Sequence, residues 1–351
     1  MLYLVLPYFN FNNSAFCRRN LDIFISNYAK RDNLKIIICE GTYSDAAALP
    51  DYSTKVYKHL KFKLKNILWV KENLINIAID SVPEAEYIAW SDRDIYFTNP
   101  RWVEETIERL QQNDIVQPWS EVIHINQDYE FEVMKRDSNQ DFCNFASIGA
   151  IAQVKKNDIS CGASMGQIWA MTRKFYEHIE KINDIEIMGG ADSIITNYCV
   201  LQDEDYKKNI NARDTKSCKK IWKNFREKFK DCKYGYVRGA IIHYWHGHLD
   251  KRQYSSRHKF LLDQAYDPDI DIGYDENGIL YLTKEGLRLE EGIRKYFISR
   301  ETDRDIKSTS QCLPFTMSFT MADSNVLIPK WNKKQISHKS MTEELTGDIE
   351  I

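Results

Sequence analysis

No C-x-x-C pair occurs among the eight cysteines of this 351-residue chain; Cys17, Cys39, Cys143, Cys161, Cys199, Cys218, Cys232 and Cys312 lie scattered, several inside apolar runs. That spacing speaks against zinc and disulfide frameworks and for buried thiols in a reducing, cytoplasmic compartment. An excess of one charge is lacking too. With 48 Lys and Arg against 51 Asp and Glu, the formal net charge is -3, so attraction to nucleic acid or a membrane has to come from a local patch. The first residues, MLYLVLPYFN, are apolar but short, lack a charged leader and are broken by Pro7. They read as a first strand, not as a signal peptide or a membrane span. Repeats are absent, and low complexity does not appear before the tail beyond Arg300. What is present is a hydrophobic content of 43%, enough to bury a substantial core.

The apolar pattern alternates between strand and helix. LYLVLPY is a buried strand, and Ser14 is a candidate N-cap for a helix with Cys17, Leu21, Phe24, Ile25 and Tyr28 on one face. LKIIICEG is a second buried strand stopped by Gly41. Leu64, Ile67, Leu68, Leu74, Ile75, Ala78 and Ile79 form a helical stripe that ends before Pro83 and leads into the strand EYIAW. Asn99 then reads as an N-cap, with Pro100 at the first helical position of RWVEETIERLQQ. DIVQPW returns as a strand, and Asp128 to Gly162 reads as a long loop near the site. GQIWAMTRKFYEHIEKI restores a strand and a helix, IMGGADSIITNYCVL a Gly-Gly turn and a helix, and GAIIHYWHGHL a late strand ending in histidines. Near-continuous apolar strands separated by helices indicate an α/β fold, a mostly parallel sheet with helices on both faces. Such sheets bind ligands at the carboxyl ends of their strands.

Two acids follow the strand EYIAW directly, in SDRDIYF. In extended chain Asp92 and Asp94 share a face, which makes a hard-oxygen site suited to Mg²⁺ or Mn²⁺ bridging substrate phosphates. A plain surface turn is the bland reading. His243, His246 and His248 stand at the end of the late strand, where an imidazole can complete a Mn²⁺ shell, and Gly247 lets backbone approach a ligand. Lys251, Arg252, Arg257 and Lys259 follow. They are placed to neutralise a diphosphate leaving group, or they form a solvated helix face. Asp192, after Gly189 and Gly190, is both a candidate helix cap and a candidate general base.

In order, these segments resemble the GT-A nucleotide-sugar glycosyltransferases, galactosyltransferase-like proteins of phages and bacteria in particular. The residues that carry the likeness are LVLPYFN, WVKENLINIAI, AWSDRDIYF, GQIWAMTRKFYEHI, MGGADSI and HYWHGHLDKRQYSSRHKFL, spread over the first three hundred or so residues. The resemblance implies a Rossmann-like GT-A fold and a nucleotide-sugar donor, a UDP-sugar first, held by Pro7, Tyr8, Asn10, Glu40, Lys71, Asp92, Arg252 and Arg257. It implies that Asp94 binds the metal, that Asp92 contacts ribose or metal, and that His246, with His243 as competitor, is a further ligand. It also implies that Asp192 deprotonates the acceptor hydroxyl, an in-line arrangement that predicts inversion. The turn departs from the pattern: it reads Gly-Gly-Ala-Asp, without the tryptophan and paired acids of related enzymes.

The resulting expectation is a catalytic domain over 1–270, a helical extension over 271–300 and a loosely ordered tail over 301–351. The activity expected is metal-dependent transfer to a hydroxyl of a saccharide or of a modified nucleic-acid base. The competing reading is a catalytically silent nucleotide-sugar or glycan-binding module. Lys216 to Lys233 carries many cations, with Ile221, Trp222, Phe225 and Phe229 at helical spacing. It reads either as a local basic face for nucleic acid or an anionic membrane, or as a helix docked by its aromatic side.

Overall fold

The computed structural model describes residues 1–44, 48–125, 134–135, 141–142, 144–147, 163–202, 215–246, 250–253, 256–300, 319–321 and 327–329. The chain divides into two compact units, Met1–Arg304 and Asp305–Ile351. The first opens with β1 (Leu2–Phe9), α1 (Ala15–Tyr28), β2 (Leu34–Thr42), β3 (Lys58–Lys63), α2 (Lys71–Asp80) and β4 (Tyr87–Ser91). It continues with β5 (Ile95–Phe97), α3 (Trp102–Leu110), β6 (Ile115–Gln117) and β7 (Glu121–His124). Short strands follow: β8 (Met134–Lys135), β9 (Asp141–Phe142), β10 (Asn144–Ser147) and β11 (Ala163–Ser164). After β12 (Ile168–Thr172) and α4 (Arg173–His178) comes α5, which begins at Ala191–Ser193 and widens to π-helical turns over Ile194–Val200. The unit closes with α6 (Lys216–Glu227), β13 (Tyr234–Tyr236), β14 (Ala240–His243), α7 (Arg257–Asp263), α8 (Pro268–Asp271), β15 (Ile272–Tyr274), β16 (Leu280–Leu282) and α9 (Glu290–Ser299).

The alternation legible in the sequence produces a seven-stranded sheet of order β13-β6-β12-β4-β1-β2-β3. Only β12 runs against its neighbours β4 and β6; the other pairings are parallel. The sheet is thus mixed and mostly parallel, with both faces covered. Alternation along β1 assigns the faces, because successive side chains in a strand point opposite ways. Leu2, Leu4, Leu6 and Tyr8 join Leu21, Phe24, Ile25 and Tyr28 of α1 in one core, while Tyr3 and Val5 join Leu74, Ile75, Ala78 and Ile79 of α2 in the other. A second sheet, of order β11-β10-β7-β14-β5, lies beyond the end of β4.

Three local expectations change. The stripe from Leu64 to Ile79 is helical only from Lys71. Ahead of it, Leu64 N–H bonds to Thr42 O and Trp69 N–H to Ile187 O, so tertiary backbone partners outcompete helix formation. Asn99 does not cap α3. Its Oδ1 accepts from Arg101 N at 2.8 Å, making a turn ahead of a helix whose cap position is Arg101. The strand LKIIICEG runs through Gly41 to Thr42. Ser14 does cap α1, its Oγ accepting from Cys17 N at 3.3 Å.

Cys17, Cys39, Cys199 and Cys218 are buried free thiols, and Cys232 is a half-buried one. The segment 271–300 is a β15–β16 hairpin followed by α9, and Ile293, Tyr296 and Phe297 pack into the same core as α2. In the second unit β17 (Phe319–Met321) pairs antiparallel with β18 (Leu327–Pro329). Cys143, Cys161, Cys312, most of the Asp128–Gly162 stretch and most of the tail lie outside the described residues.

The joint between α8 and the turn before α9 is tight. A Cβ on Gly286 would stand 2.0 Å from the Asp271 carbonyl oxygen, whereas one on Gly41 would meet only the ends of Leu64 at 2.8 Å. Gly286→Ala is expected to lose about 1–3 kcal/mol, as overpacking against unyielding atoms does, and Gly41→Ala less. Urea denaturation of the two variants checks the order, and equal losses would contradict it.

Candidate active site

Backbone pairing delivers the site. β4 stands inside the seven-stranded sheet, and beyond it Asp92 N–H donates to Gln167 O at 2.7 Å. Two residues on, Asp94 O accepts from Tyr244 N at 2.7 Å, just outside the antiparallel pair in which His243 faces Ile95. Asp94 and the end of β14 are therefore tied by main chain. The Asp94 Oδ2 lies 3.2 Å from His246 Nε2, its Oδ1 3.7 Å from His243 Nε2, and the two Nε2 atoms are 3.1 Å apart. One ligand atom from each residue falls within 4.8 Å of the others.

This cluster fits a cation. Asp94 Oδ1 is buried with no hydrogen-bond partner, a costly arrangement for a carboxylate unless another group satisfies it. Burial, and then the Asp92 charge, raise the Asp94 pKa to about 6. Burial, with Arg252 adding to it, pushes His243 down to about 3 and His246 well below the usual histidine value. Both imidazoles are thus neutral and carry the lone pair that metal binding needs. Arg252 Nη2 lies 2.9 Å from His246 Nδ1 and 2.6 Å from Nε2, and a neutral ring accepts at only one of them, so a cation taken by Nε2 displaces Arg252 from that atom.

Asp92 does not join the cluster. The sequence places both acids on one face, but the turn after β4 parts them, and Asp92 Oδ1 accepts from Lys71 Nζ at 2.5 Å. Lys71 opens α2, which brings its ammonium to the strand end. Burial works against its charge, but Asp92, Asp192 and Glu72 outweigh that and raise its pKa. Asp92, which burial would push up, is held below the usual carboxylate range by Lys71. Asp192 and Asp92 both flank Gly166, where a Cβ would lie 3.1 Å from Asp192 Oδ2 and 3.9 Å from Asp92 Oδ2. Glu72 is a further carboxyl behind Lys71. Burial raises its pKa to about 8, and Trp69 Nε1 donates to its Oε2 at 3.0 Å.

The Gly-Gly turn shapes the wall that carries Asp192. Gly189 and Gly190 have φ of 80° and 107°, and Gly190 holds the N-cap position, so Asp192 lies inside the first turn and is not the cap. Its Oδ1 accepts from Ser193 N at 2.8 Å. A Cβ on Gly189 would stand 2.9 Å from the Trp69 ring, and one on Gly190 2.9 Å from Arg257 Nη2.

These groups open on one cleft of about 630 Å³, a size suited to a small-molecule ligand. Of the residues singled out in the sequence, Pro7, Asn10, Lys71, Asp92, Asp94, Asp192, His243, His246, Arg252 and Arg257 line it. Tyr8 and Glu40 do not. Strand alternation turns Tyr8 into the core, 1% exposed, with the Arg93 guanidinium 5.2 Å from its ring. Glu40, also 1% exposed, accepts from Leu49 N at 2.6 Å and meets His59 Nε2 at 2.9 Å, which ties down a loop. Lys259 pairs with Asp263 at 2.9 Å on the exposed side of α7, the solvated-face reading. Gly247 and His248 lie outside the described residues. α6 buries Cys218, Trp222 and Phe225, and Trp222 Nε1 donates to Glu186 Oε1 at 2.7 Å, so this helix is docked by its aromatic side.

Several lining residues were not anticipated: Phe9, Trp69, Arg93, His124, Phe297 and Arg300. Phe9 follows from β1 alternation, since it shares the face of Pro7. Trp69, Phe297 and Arg300 reach the cleft only through tertiary packing, and no local pattern marks them.

No protein-family description matches this sequence, and no curated protein matches it. Among solved structures, S. aureus TarS residues 1–349 has a TM-score of 0.39 and 9% identity, covering 86% of this chain and 71% of that one. A longer TarS structure has 0.35 and 10%, covering 56% and 32%. Glucosyl-3-phosphoglycerate synthase from Mycobacterium tuberculosis, in complex with Mn²⁺, UDP-glucose and phosphoglyceric acid, has 0.38 and 10%, covering 80% and 86%. With TM-scores this low, none of these likenesses carries the functional reading, which rests on the side chains themselves. Among the described residues no helix is long and apolar enough to cross a membrane.

Gly190→Ala places a Cβ in left-handed backbone against Arg257 and His258. The expected loss is about 1–3 kcal/mol, read by chemical denaturation. An unchanged midpoint would contradict the strain.

Proposed function

We propose that this protein is a glycosyltransferase of GT-A type that moves a sugar from a UDP-linked donor onto an acceptor hydroxyl. Asp94, His243 and His246 serve as the ligands of a divalent cation. The observation that carries the reading is the donor set itself: one buried carboxylate with an unpartnered oxygen and two neutral imidazoles, on the same cleft as Asp192. Two imidazole nitrogens suit Mn²⁺ better than Mg²⁺, which prefers an all-oxygen shell. Once bound, the cation stabilises charge that builds on the departing diphosphate.

The chain's own residues supply the rest. Pro7 and Asn10 form the donor wall at the end of β1. Lys71 keeps Asp92 ionised and in place, so that Asp92 is available as an acceptor for donor hydroxyls rather than as a metal ligand. Arg252 and Arg257 bring fixed positive charge to the cleft, where a diphosphate is recognised by charge-assisted hydrogen bonds. Asp192, held by Ser193 N–H on a rigid turn, takes the proton of the attacking hydroxyl. Attack from the side opposite the leaving group inverts the anomeric carbon. The acceptor is a saccharide hydroxyl; the lysine face of α6 is a solvated surface and is given no part in it. Because Phe297 and Arg300 line the cleft, the catalytic domain runs to Arg300 and takes in 271–300. Free thiols favour a cytoplasmic setting.

A catalytically silent binding module would keep the cleft and the cation site without turnover. The placing of Asp192 and Asp92 on either side of Gly166, on the same cleft as the cation ligands, favours the enzyme. Incubation with a panel of nucleotide-sugars is expected to release nucleoside diphosphate with Mn²⁺, less with Mg²⁺ and none with EDTA. Asp94→Ala is expected to abolish the Mn²⁺-dependent turnover. Asp192→Asn should keep donor affinity and slow transfer by about 10²–10⁴-fold, the usual weight of a general base. Transfer by Asp192→Asn at the parental rate would remove the base assignment, and donor binding without turnover in the parent would leave the binding module standing.

A further inference from the structure

β7 and β14 run parallel and in register, so that His124 stands opposite His243 on the neighbouring strand. Ile125 N–H donates to His243 O at 3.2 Å and fixes the strand ends together. The two rings meet edge to face, 4.8 Å between centroids at 72°, and their Nδ1 atoms are 3.1 Å apart. At that distance one Nδ1 carries the hydrogen and the other the lone pair. The opposite nitrogen of His243, Nε2, is the one that faces Asp94 and His246.

We propose that His124 is a positioning residue: its Nδ1 accepts the His243 Nδ1–H, which fixes the His243 tautomer and aims the Nε2 lone pair at the cation site. The inference rests on the cation reading of the Asp94 cluster. Ligating histidines generally give their second N–H to a carboxylate, a carbonyl or water. Here the acceptor is a neutral imidazole, which orients His243 without adding a negative charge to a site that already holds Asp94. Strand register, not a flexible side chain, sets the contact, and the remaining freedom is rotation of two rings, the buried one of His243 and the half-buried one of His124.

The test uses the full chain with His124→Phe, which keeps a ring and removes the acceptor, and His124→Asn, whose Oδ1 can stand in for Nδ1. Long-range ¹⁵N–¹H correlation spectra of the metal-free protein report the His243 tautomer, and the free Mn²⁺ signal in electron paramagnetic resonance reports affinity. The expected results are an Nδ1–H tautomer of His243 in the parent and Mn²⁺ affinity weakened about 10–100-fold in His124→Phe, the usual cost of losing such a partner. His124→Asn should keep affinity close to that of the parent. An Nε2–H tautomer in the parent, or parental affinity in His124→Phe, overturns the proposal. Should His124→Phe fail to fold, the parental tautomer and the Asn variant still decide. A parent that binds no Mn²⁺ overturns both the cation reading and the role given to His124, whereas Mn²⁺ binding that ignores the Phe substitution overturns the role alone.

Discussion

A carboxylate that the fold removes from water and leaves half unsatisfied is the constraint on which the site depends. Asp94 is 5% exposed, and one of its oxygens has no hydrogen-bond partner. Its neighbours do not repair this: His243 and His246 are held neutral by burial, and the charge on Asp92 pushes the wrong way. Such an arrangement is unfavourable for an apoprotein and favourable for one that takes up a positive charge. The main chain enforces it, because β5, β14 and β7 are paired in register and their ends cannot separate without breaking ladder hydrogen bonds.

Charge in the cleft is organised around two centres. At one, Asp94 faces two imidazoles with Arg252 beside them. At the other, Lys71 bonds to Asp92 and is held in its charged state by Asp92 and Asp192. In the proposed transfer the two centres divide the work: the first is assigned the negative charge that leaves, the second the hydroxyl that attacks. The two left-handed glycines before Asp192 let Trp69 and Arg257 close against the turn, so the carboxylate is carried on packed structure and not on a free loop.

Much of this arrangement was legible in the sequence because strand burial and strand ends leave local signatures. The runs LYLVLPY, LKIIICEG and EYIAW appear as β1, β2 and β4, and the pairing of an acidic strand end with a distant histidine strand reappears as the Asp94 cluster. What local pattern misses has a shared cause. Leu64, Ile67 and Leu68 have helical spacing, yet their segment takes its backbone partners from β2 and from Ile187. Asp92 and Asp94 are two residues apart, but the chain turns between them, and Lys71 captures one while histidines surround the other. Glu40, expected to hold the donor, is instead claimed by Leu49 N–H nine residues downstream and by His59 of β3. His124 lies on a four-residue strand with one exposed end, too short to announce itself, and its meaning comes only from the register with β14.

Anomalous diffraction from crystals soaked in Mn²⁺ and UDP tests the central claim most directly. The account predicts a manganese peak bounded by Asp94, His243 and His246, with Asp92 still on Lys71. A strong peak elsewhere in the cleft, or none at saturating Mn²⁺, would contradict it.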